Sequence, residues 1–303
     1  MHVLESELTK EKLVRKSNNG SNLIYIITNH DSPMVMKEIG RLRELTFRAA
    51  GGGTGKPIDI DEYDDCEIPY KQLIVWSPLE QEIMGGYRFI PCADAYDTKS
   101  NRWNLATAEL FRFSERFISD YLPHTIELGR SFVQPKYQPS VENRKGLFTL
   151  DNLWDGLGAI AVDHPQIKYF FGKVTMYRHY HQEARDLILF FMNYYFPDNE
   201  KLVTPIESLP IAHDMQFFNM ELKGLNYKDG HRVLNQQVRE LGENIPPLIN
   251  AYMNLSASMK NFGTAINTHF GEVEETGILV TLADIYDTKK SRHVNTYIKS
   301  KKF

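Results

Sequence analysis

The spacing of hydrophobic and polar residues divides the first two thirds of the chain into alternating strands and helices. Runs of β-branched and aromatic residues predict strands at 23–27, 72–76, 83–91, 125–134 and 168–176. Apolar residues at helical spacing predict helices over 33–48 and 150–163, and Ser32 followed by Pro33 is a typical helix start. This mixture predicts a mixed α/β fold.

The last third of the chain has a more helical pattern. An apolar stripe at helical spacing over 187–195 predicts a helix that faces the core, with a membrane-surface patch as the alternative. Residues 200–245 are expected to form a helical insertion, and residues 246–258 a further helix opened by two prolines. A closing pair of strands is predicted at 260–269 and 277–285.

Composition narrows the class of protein. The 303 residues include 39 acidic and 35 basic side chains, so no overall positive charge exists to attract nucleic acid. Two cysteines exclude a disulfide framework and fit a reducing compartment. The N-terminus lacks a secretory signal, and the longest apolar run, 187–196, is too short to span a bilayer. We expect a cytoplasmic protein with one domain over residues 1–303, and peripheral contact with the inner face of the membrane stays open.

Three segments resemble known ligand-binding motifs but lack essential residues. Residues 51–57 (GGGTGKP) miss the first glycine and the final Ser or Thr of a phosphate-binding loop. Residues 59–65 have Asp where a calcium loop needs its turn-forming Gly. Residues 179–183 (HYHQE) lack the spacing of a zinc site. The sequence therefore predicts neither a nucleotide site nor a metal site.

Polar residues that could carry chemistry fall into four short groups. They are Arg43 with Phe47, Asp61 with Asp64, Arg88 after Gly85-Gly86, and Glu127 with Gly129, Arg130 and Ser131. Forming an amide from a thioester requires a base for the amine proton and N–H donors for the oxyanion. A carboxylate on a strand, such as Glu127, could be that base directly or through water. Asp61 and Asp64 are rivals for this role or binders of the substrate ammonium.

Each of these residues also has a purely structural interpretation. Glu127 could anchor the sheet through a salt bridge to Arg88 or Arg43, and Phe47 could belong to the core. Arg88 could lie on an edge strand at the surface, and the acidic segment 59–65 could be a solvated loop. On a regular strand, residues 127 and 130 point to opposite faces, so a shared role needs a bulge near Gly129.

In order and spacing, these groups resemble the acyl-carrier-protein-dependent N-acyltransferases of the GNAT superfamily. The similarity is closest to the ornithine and glycine lipid N-acyltransferases, often labelled hemolysin-like, and more distant to acyl-homoserine-lactone synthases. The segments that carry it are RLRELTF, DIDEYDD, IMGGYRFIP, IELGRSFVQPKY, LWDGLGAI and YFFGKVTMY. No one segment is specific, but the ordered set is.

The resemblance implies a mixed, mostly antiparallel sheet flanked by helices and an enzyme that acylates a small amino acid. It assigns catalysis to Glu127, Arg130, Asp61 and Asp64, with Arg43, Phe47, Arg88 and Ser131 binding substrate. A bulged strand at Gly129 would receive the donor's pantetheine arm. The product would be a single-chain amino lipid with a long, optionally 3-hydroxylated, acyl chain.

The donor is expected to be an acyl carrier protein rather than coenzyme A, with no bound cofactor. The loop that holds coenzyme A pyrophosphate in GNAT proteins is glycine-rich, whereas residues 134–150 contain only Gly146. Arg144 and Lys145 could grip the single phosphate of the carrier's arm or its acidic surface, although they could equally be solvated.

Three alternatives stay open at this stage. A lactone synthase would use S-adenosylmethionine as the amine, a hemolysin-like protein would damage membranes, and a non-catalytic protein would only bind the carrier.

Overall fold

Most of the strands join one sheet that runs the length of the molecule. The structure is a computed structural model that describes residues 2–98, 101–138 and 148–299. Its strands are β1 (Leu13–Lys16), β2 (Leu23–Ile27), β3 (Lys71–Ser77), β4 (Glu82–Pro91), β5 (Tyr96–Asp97), β6 (Arg102–Trp103), β7 (Phe111–Phe113), β8 (Thr125–Val133), β9 (Tyr169–Met176), β10 (Val203–Pro205), β11 (Lys260–Asn267) and β12 (Val273–Thr281).

Helices of very different length flank these strands. They are α1 (His2–Glu7), α2 (Pro33–Ala49), α3 (Glu62–Asp65), α4 (Thr149–Asp163), α5 (Gln182–Tyr195), α6 (Gln216–Leu222), α7 (Tyr227–Glu240), α8 (Pro247–Met253) and α9 (Asp287–His293). None of the helices in the described residues combines the length and apolar character needed to cross a bilayer.

The main sheet has eight strands in the order β1-β2-β3-β4-β8-β9-β12-β11. All neighbours are antiparallel except β8 and β9, which run parallel. β1 therefore lies at one edge of this sheet, and β12 and β11, the two strands nearest the C-terminus, lie at the other. The mixed, mostly antiparallel sheet flanked by helices is the predicted fold.

Helices cover both faces of this sheet. The largest apolar cluster lies on the face covered by α4, α5, α7 and α8, where strand residues such as Leu73, Phe89 and Ile126 are fully buried. The opposite face packs against α2 and the segment that joins β4 to β8. The apolar stripe at 187–195 belongs to α5 and faces the core, as predicted.

The predicted insertion at 200–245 contains the two helices α6 and α7, and also the short strand β10, which pairs with β7. The sequence pattern did not predict β1 or α3, and it left residues 92–124 without structure. The helix opened by Pro246 is shorter than expected, since it ends at Met253.

Candidate active site

A bulge distorts β8 where the candidate residues lie. The register with β4 shifts between Gly86 and Arg88, so that Tyr87 alone faces Arg130 and Ser131. Arg130 adopts a left-handed backbone conformation with φ of 47°, which a non-glycine residue rarely takes. A bulge was predicted near Gly129, and the structure centres it on the next residue.

The same bulge marks the point where β8 and β9 separate. Their parallel pairing covers Thr125–Leu128 and ends at the pair Leu128 and Gly172. Beyond it, β9 continues to pair with β12, whereas β8 pairs with β4. The sheet therefore opens into a narrow slot between two of its central strands.

The slot has free space of about 20 Å³, roughly enough for a single water molecule. Its lining combines the bulge with strand β9 and helix α8. It comprises Tyr87, Leu128, Gly129, Ser131, Phe170, Phe171, Gly172, Lys173, Leu248, Tyr252 and Ile278. Gly129, which the resemblance assigns to the donor's arm, and Ser131, which it assigns to substrate binding, both line this slot.

A much larger cavity lies on the other side of Arg130. It holds about 1020 Å³ and is lined by Thr54, Lys56, Ile60, Asp61, Glu62, Tyr63, Asp65, Glu109, Leu110, Arg130, Ile206, Glu207, Ala265, Ile266, Thr268 and His269. We call it the wide cavity. Arg130 lines the wide cavity while its neighbours Gly129 and Ser131 line the slot, so the bulge contributes residues to both spaces.

Ion pairs join the arginines and aspartates predicted from the sequence. The Arg88 Nη1 atom lies 2.7 Å from both carboxylate oxygens of Asp61, and Arg43 Nη1 lies 2.9 Å from Asp64 Oδ2. Arg130 bridges to Asp61 at 3.4 Å and to Asp59 at 2.8 Å. The structure therefore brings these residues together into one network.

Local sequence explains part of this arrangement. Asp61 caps α3 by accepting a hydrogen bond from the Tyr63 N–H, while Asp64 accepts one from the N–H of Asp61. This reciprocal capping box fixes both carboxylates toward the arginines. The solvated-loop interpretation of Asp61 and Asp64 is wrong, because Asp64 is fully buried and Asp61 is only 25% exposed. The surface interpretation of Arg88 is wrong too, because Arg88 is 2% exposed.

The charges of this network set the protonation of Asp61. Burial alone would raise the pKa of Asp61, but the guanidinium groups of Arg88 and Arg130 outweigh it and hold that pKa well below the usual aspartate range. A carboxylate this strongly stabilised in its ionised form is a weak base. The ionised carboxylate of Asp61 lines the wide cavity.

Glu127 is enclosed rather than open to a groove. Its side chain is 1% exposed and belongs to the lining of neither the slot nor the wide cavity. The Tyr70 hydroxyl donates to Oε1 at 2.7 Å, and the Thr107 hydroxyl donates to Oε2. Burial raises the pKa of Glu127, while hydrogen bonds from Thr107 and Tyr70 and the charge of Lys173 oppose the rise. Of the two routes that the sequence left open for Glu127, directly or through water, direct contact with a substrate amine is therefore not available in this arrangement.

The anchoring role expected for Glu127 takes a different form from the one predicted. Its partners are two hydroxyl groups and the N–H of Thr107. Arg88 instead pairs with aspartates and lies over the ring of Tyr70. Phe47 packs edge-on against Phe270, with ring centroids 5.1 Å apart, inside the apolar core. It lines neither space, which favours the core interpretation. Arg144 and Lys145 lie outside the described residues.

Sequence reasoning missed several residues of this region. Asp59, Tyr70, Thr107, Lys173 and Glu275 are all buried or nearly so around the two spaces. Lys173 pairs with Glu275 at 2.9 Å and also donates to the carbonyl oxygen of Ala106. The one signal in the sequence was a charged residue inside an otherwise apolar strand, as at Lys173. Glu109, which lines the wide cavity, carries no such signal because it falls in a loop.

The glycine-rich segment 51–57 binds a carboxylate of the protein itself. Glu44 accepts hydrogen bonds from the N–H groups of Thr54 and Gly55 and from the Thr54 hydroxyl. A phosphate bound in this loop would need these same donors, which the Glu44 carboxylate already occupies. Across residues 2–98, 101–138 and 148–299, no three His, Cys, Asp or Glu side chains cluster in a way that could hold a metal ion.

Solved structures with a similar chain path include two enzymes of one class. The AHL synthase LasI covers 90% of this chain and 95% of its own, with 12% identity and a TM-score of 0.44. The CoA-dependent acyl-homoserine lactone synthase BjaI covers 89% of each chain, with 13% identity and a TM-score of 0.38.

Sequence comparison gives a closer match. Residues 42–143 match the family model described as acetyltransferase (GNAT) domain. A glycine N(alpha)-acyltransferase of Phocaeicola vulgatus is 53% identical over 297 residues, which is 98% of this chain and 91% of that protein. A glycine N(alpha)-acyltransferase of Bacteroides thetaiotaomicron is 54% identical over 299 residues, covering 98% and 88%. The chain therefore belongs to the GNAT N-acyltransferase family that contains these two proteins.

Proposed function

We propose that this enzyme transfers a long acyl chain from an acyl carrier protein to the amine of glycine. The observation that carries the proposal is the opening of β8 from β9 directly beside the wide cavity. An amino acid fits the wide cavity, whereas the slot holds only about 20 Å³ and has to widen to admit a thin thioester arm. The names of the relatives support glycine as the acceptor, and ornithine remains a second acceptor to test.

The carrier protein is proposed as donor on the evidence of the sequence. The segment after β8 contains one glycine, Gly146, where a coenzyme A pyrophosphate loop would need several. A carrier's arm has a single phosphate, which needs fewer N–H donors. The product would be a single-chain amino lipid, and a peripheral contact with the inner face of the membrane would let it leave the enzyme.

The bulge supplies the groups for the reaction at the thioester. Beyond Leu128, the side of β8 that faces β9 has no strand partner among the described residues. Backbone N–H groups near Gly129–Ser131 are thereby free to stabilise the oxyanion that develops on the thioester carbonyl. In the wide cavity, Asp61 attracts the ammonium group of the acceptor, while Arg130 is placed to orient its carboxylate.

Direct assay tests this proposal. The purified enzyme is incubated with palmitoyl or 3-hydroxypalmitoyl carrier protein, or with the matching coenzyme A thioesters, and with glycine, ornithine or S-adenosylmethionine. Mass spectrometry then identifies the products. We expect N-acylglycine from the carrier-protein donors. A lactone product would favour the synthase alternative, and the absence of any amide would overturn the proposal.

A substitution in the slot tests where the donor binds. Ser131→Leu adds bulk to the slot, so we expect kcat/KM for the acyl carrier protein to fall by about 10²-fold through misplacement of the thioester. The KM for glycine should change little. Ser119→Leu, the same change at an exposed position, is the control. A Ser131→Leu enzyme with the donor kinetics of the wild type would place the donor elsewhere.

A further inference from the structure

The proposed reaction requires a base that takes a proton from the amine of the acceptor. An amino acid arrives as an ammonium ion, which cannot attack a thioester until it loses a proton. Asp61 is held in its ionised form by two arginines, and Glu127 is enclosed by Tyr70 and Thr107. Another carboxylate of the wide cavity is better placed.

Glu109 is an exposed carboxylate in the lining of the wide cavity. Its Oε1 atom accepts a hydrogen bond of 2.7 Å from the Tyr63 hydroxyl, which fixes the direction of the carboxylate. Tyr63 in turn lies beneath the guanidinium group of Arg88, 5.5 Å from its ring centre, and its N–H donates to Asp61. Tyr63 therefore links Glu109 to the carboxylate that attracts the ammonium group.

The backbone that carries Glu109 is anchored by the buried network. The Thr107 hydroxyl donates to Glu127, and the N–H of Ala106 donates to the Tyr70 hydroxyl at 3.0 Å. Lys173 donates to the carbonyl oxygen of Ala106 at 3.1 Å. Three contacts thus fix the two residues that precede the turn at Glu109. This gives Glu127 a positioning role through Thr107.

Other carboxylates of the cavity lack this connection. Asp65 accepts from the side chain of Asn29 at 2.7 Å, which directs it to the loop before α2. Glu207 follows Ile206, whose N–H donates to the carbonyl oxygen of Leu110 at 2.9 Å, but no side chain of the described residues donates to the Glu207 carboxylate. Glu62 also lines the cavity, and no side chain of the described residues donates to its carboxylate. Among these four carboxylates, Glu109 is the one held by a side chain that also contacts Arg88 and Asp61.

We propose that Glu109 receives the acceptor's ammonium group and takes its proton, an inference that rests on the proposed function. The neutral amine then forms the C–N bond, and the electron pair of the C–S bond leaves with sulfur. The second nitrogen proton, lost as the amide forms, ends on the thiolate. The proton first taken by Glu109 passes to bulk water, so the sum is amide, thiol and one released proton.

A pair of acceptors separates a base from a merely structural residue. Glycine needs deprotonation at pH 7, whereas the amine of (aminooxy)acetate, a close analogue, is already neutral. We expect Glu109→Gln to lower kcat/KM for glycine by about 10²-fold and to leave that for (aminooxy)acetate close to the wild-type value. Activity of the variant on glycine should recover as the pH approaches the pKa of the amine. Glu115→Gln, the same change at an exposed position that lines neither the slot nor the wide cavity, is the matched control.

The outcomes distinguish the inference from the proposed function. An equal loss on both acceptors, or no loss on glycine, overturns the role of Glu109 while the enzyme's activity stands. Tyr63→Phe should reproduce part of the loss on glycine, because it frees the carboxylate that the hydroxyl orients. A wild-type enzyme that acylates neither acceptor would overturn the proposed function and this inference with it.

Discussion

At the scale of single residues, the unusual feature is the burial of charge. Arg43, Arg88 and Asp64 are each at most 2% exposed, and each depends on the others for compensation. Arg43 also donates to the side-chain oxygen of Gln72 at 2.5 Å, and Gln72 donates to Asp64. Removing one member therefore leaves another buried with fewer partners to compensate its charge.

Arg43→Met tests this dependence. The substitution leaves Asp64 with a weakened set of partners in the core, so we expect the free energy of unfolding to fall by about 3–5 kcal/mol in urea titrations. The double variant Arg43→Met/Asp64→Asn should lose less than the single variant, because it also removes the stranded charge. An equal or greater loss in the double variant would contradict this account.

Glu127→Gln tests the anchoring of the turn that carries Glu109. The amide would replace an acceptor of the Thr107 or Tyr70 hydroxyl, and the turn would shift. A displacement of about 1 Å can cost on the order of 10² in rate, so we expect a loss of that size in kcat. Circular dichroism should show an unchanged fold. An unaltered kcat would show that the anchor is dispensable.

The residue types of the site were predictable from the sequence, but their partners were not. A charged residue inside an apolar strand run, such as Arg88 or Glu127, is visible in one dimension. That Arg88 pairs with Asp61 depends on the path of the segment between α2 and β3. The hydroxyl partners of Glu127 come from that segment, through Tyr70, and from the segment between β4 and β8, through Thr107. Sequence periodicity carries no information on these paths.

At the scale of secondary structure, the parting of β8 and β9 depends on close backbone contact just before the strands diverge. A Cβ atom at Gly172 would lie 2.5 Å from the carbonyl oxygen of Leu128, so the last pairing tolerates only glycine. At Gly129 the nearest atoms would be 3.5 Å away, in the flexible side chain of Arg88. These two glycines lie on neighbouring strands, one residue apart in register, and have different roles.

Substituting these glycines separates their roles. We expect Gly172→Ala to lower the free energy of unfolding by about 1–3 kcal/mol, because Cβ would push the strands apart. Gly129→Ala should change it by less than about 1 kcal/mol. Thermal unfolding of both variants measures the difference, and equal losses would show that the contact at Gly172 relaxes without cost.

The main strands and long helices were predictable because their hydrophobic periods are long and regular. Strands β2, β3, β4, β8 and β9 and helices α2, α4 and α5 match their predicted positions within a few residues. Helix α3, by contrast, has four residues and is set by its capping box rather than by an apolar period. Strand β1 has only four residues, too few to show alternation.

At the scale of the whole molecule, ion pairs at the site couple stability to pH. Burial alone would raise the pKa of Glu275, yet the ion pair with Lys173 outweighs burial and lowers that pKa. The arginines lower the pKa of Asp61 in the same way. A carboxyl group with a lowered pKa stabilises the fold above its unfolded-state value, about 4, and loses this contribution as the pH falls through the folded-state value. The fold should therefore weaken in acid.

Asp61→Asn measures this contribution. We expect the stability difference between the wild type and this variant to be largest near neutral pH and to shrink as the pH falls below about 4. Urea titrations over a series of pH values give the difference. Asp120→Asn, at a side chain that is 59% exposed, is the control and should give a much flatter profile. A constant difference for Asp61→Asn would contradict the assignment.

The position of Arg130 between the slot and the wide cavity also has a kinetic consequence. Thiol arm and amino acid would approach the bulge through separate openings, so neither must depart before the other arrives. Initial velocities should then give intersecting rather than parallel double-reciprocal lines. The spent carrier, still seated through its arm, should compete with fresh acyl carrier but not with glycine.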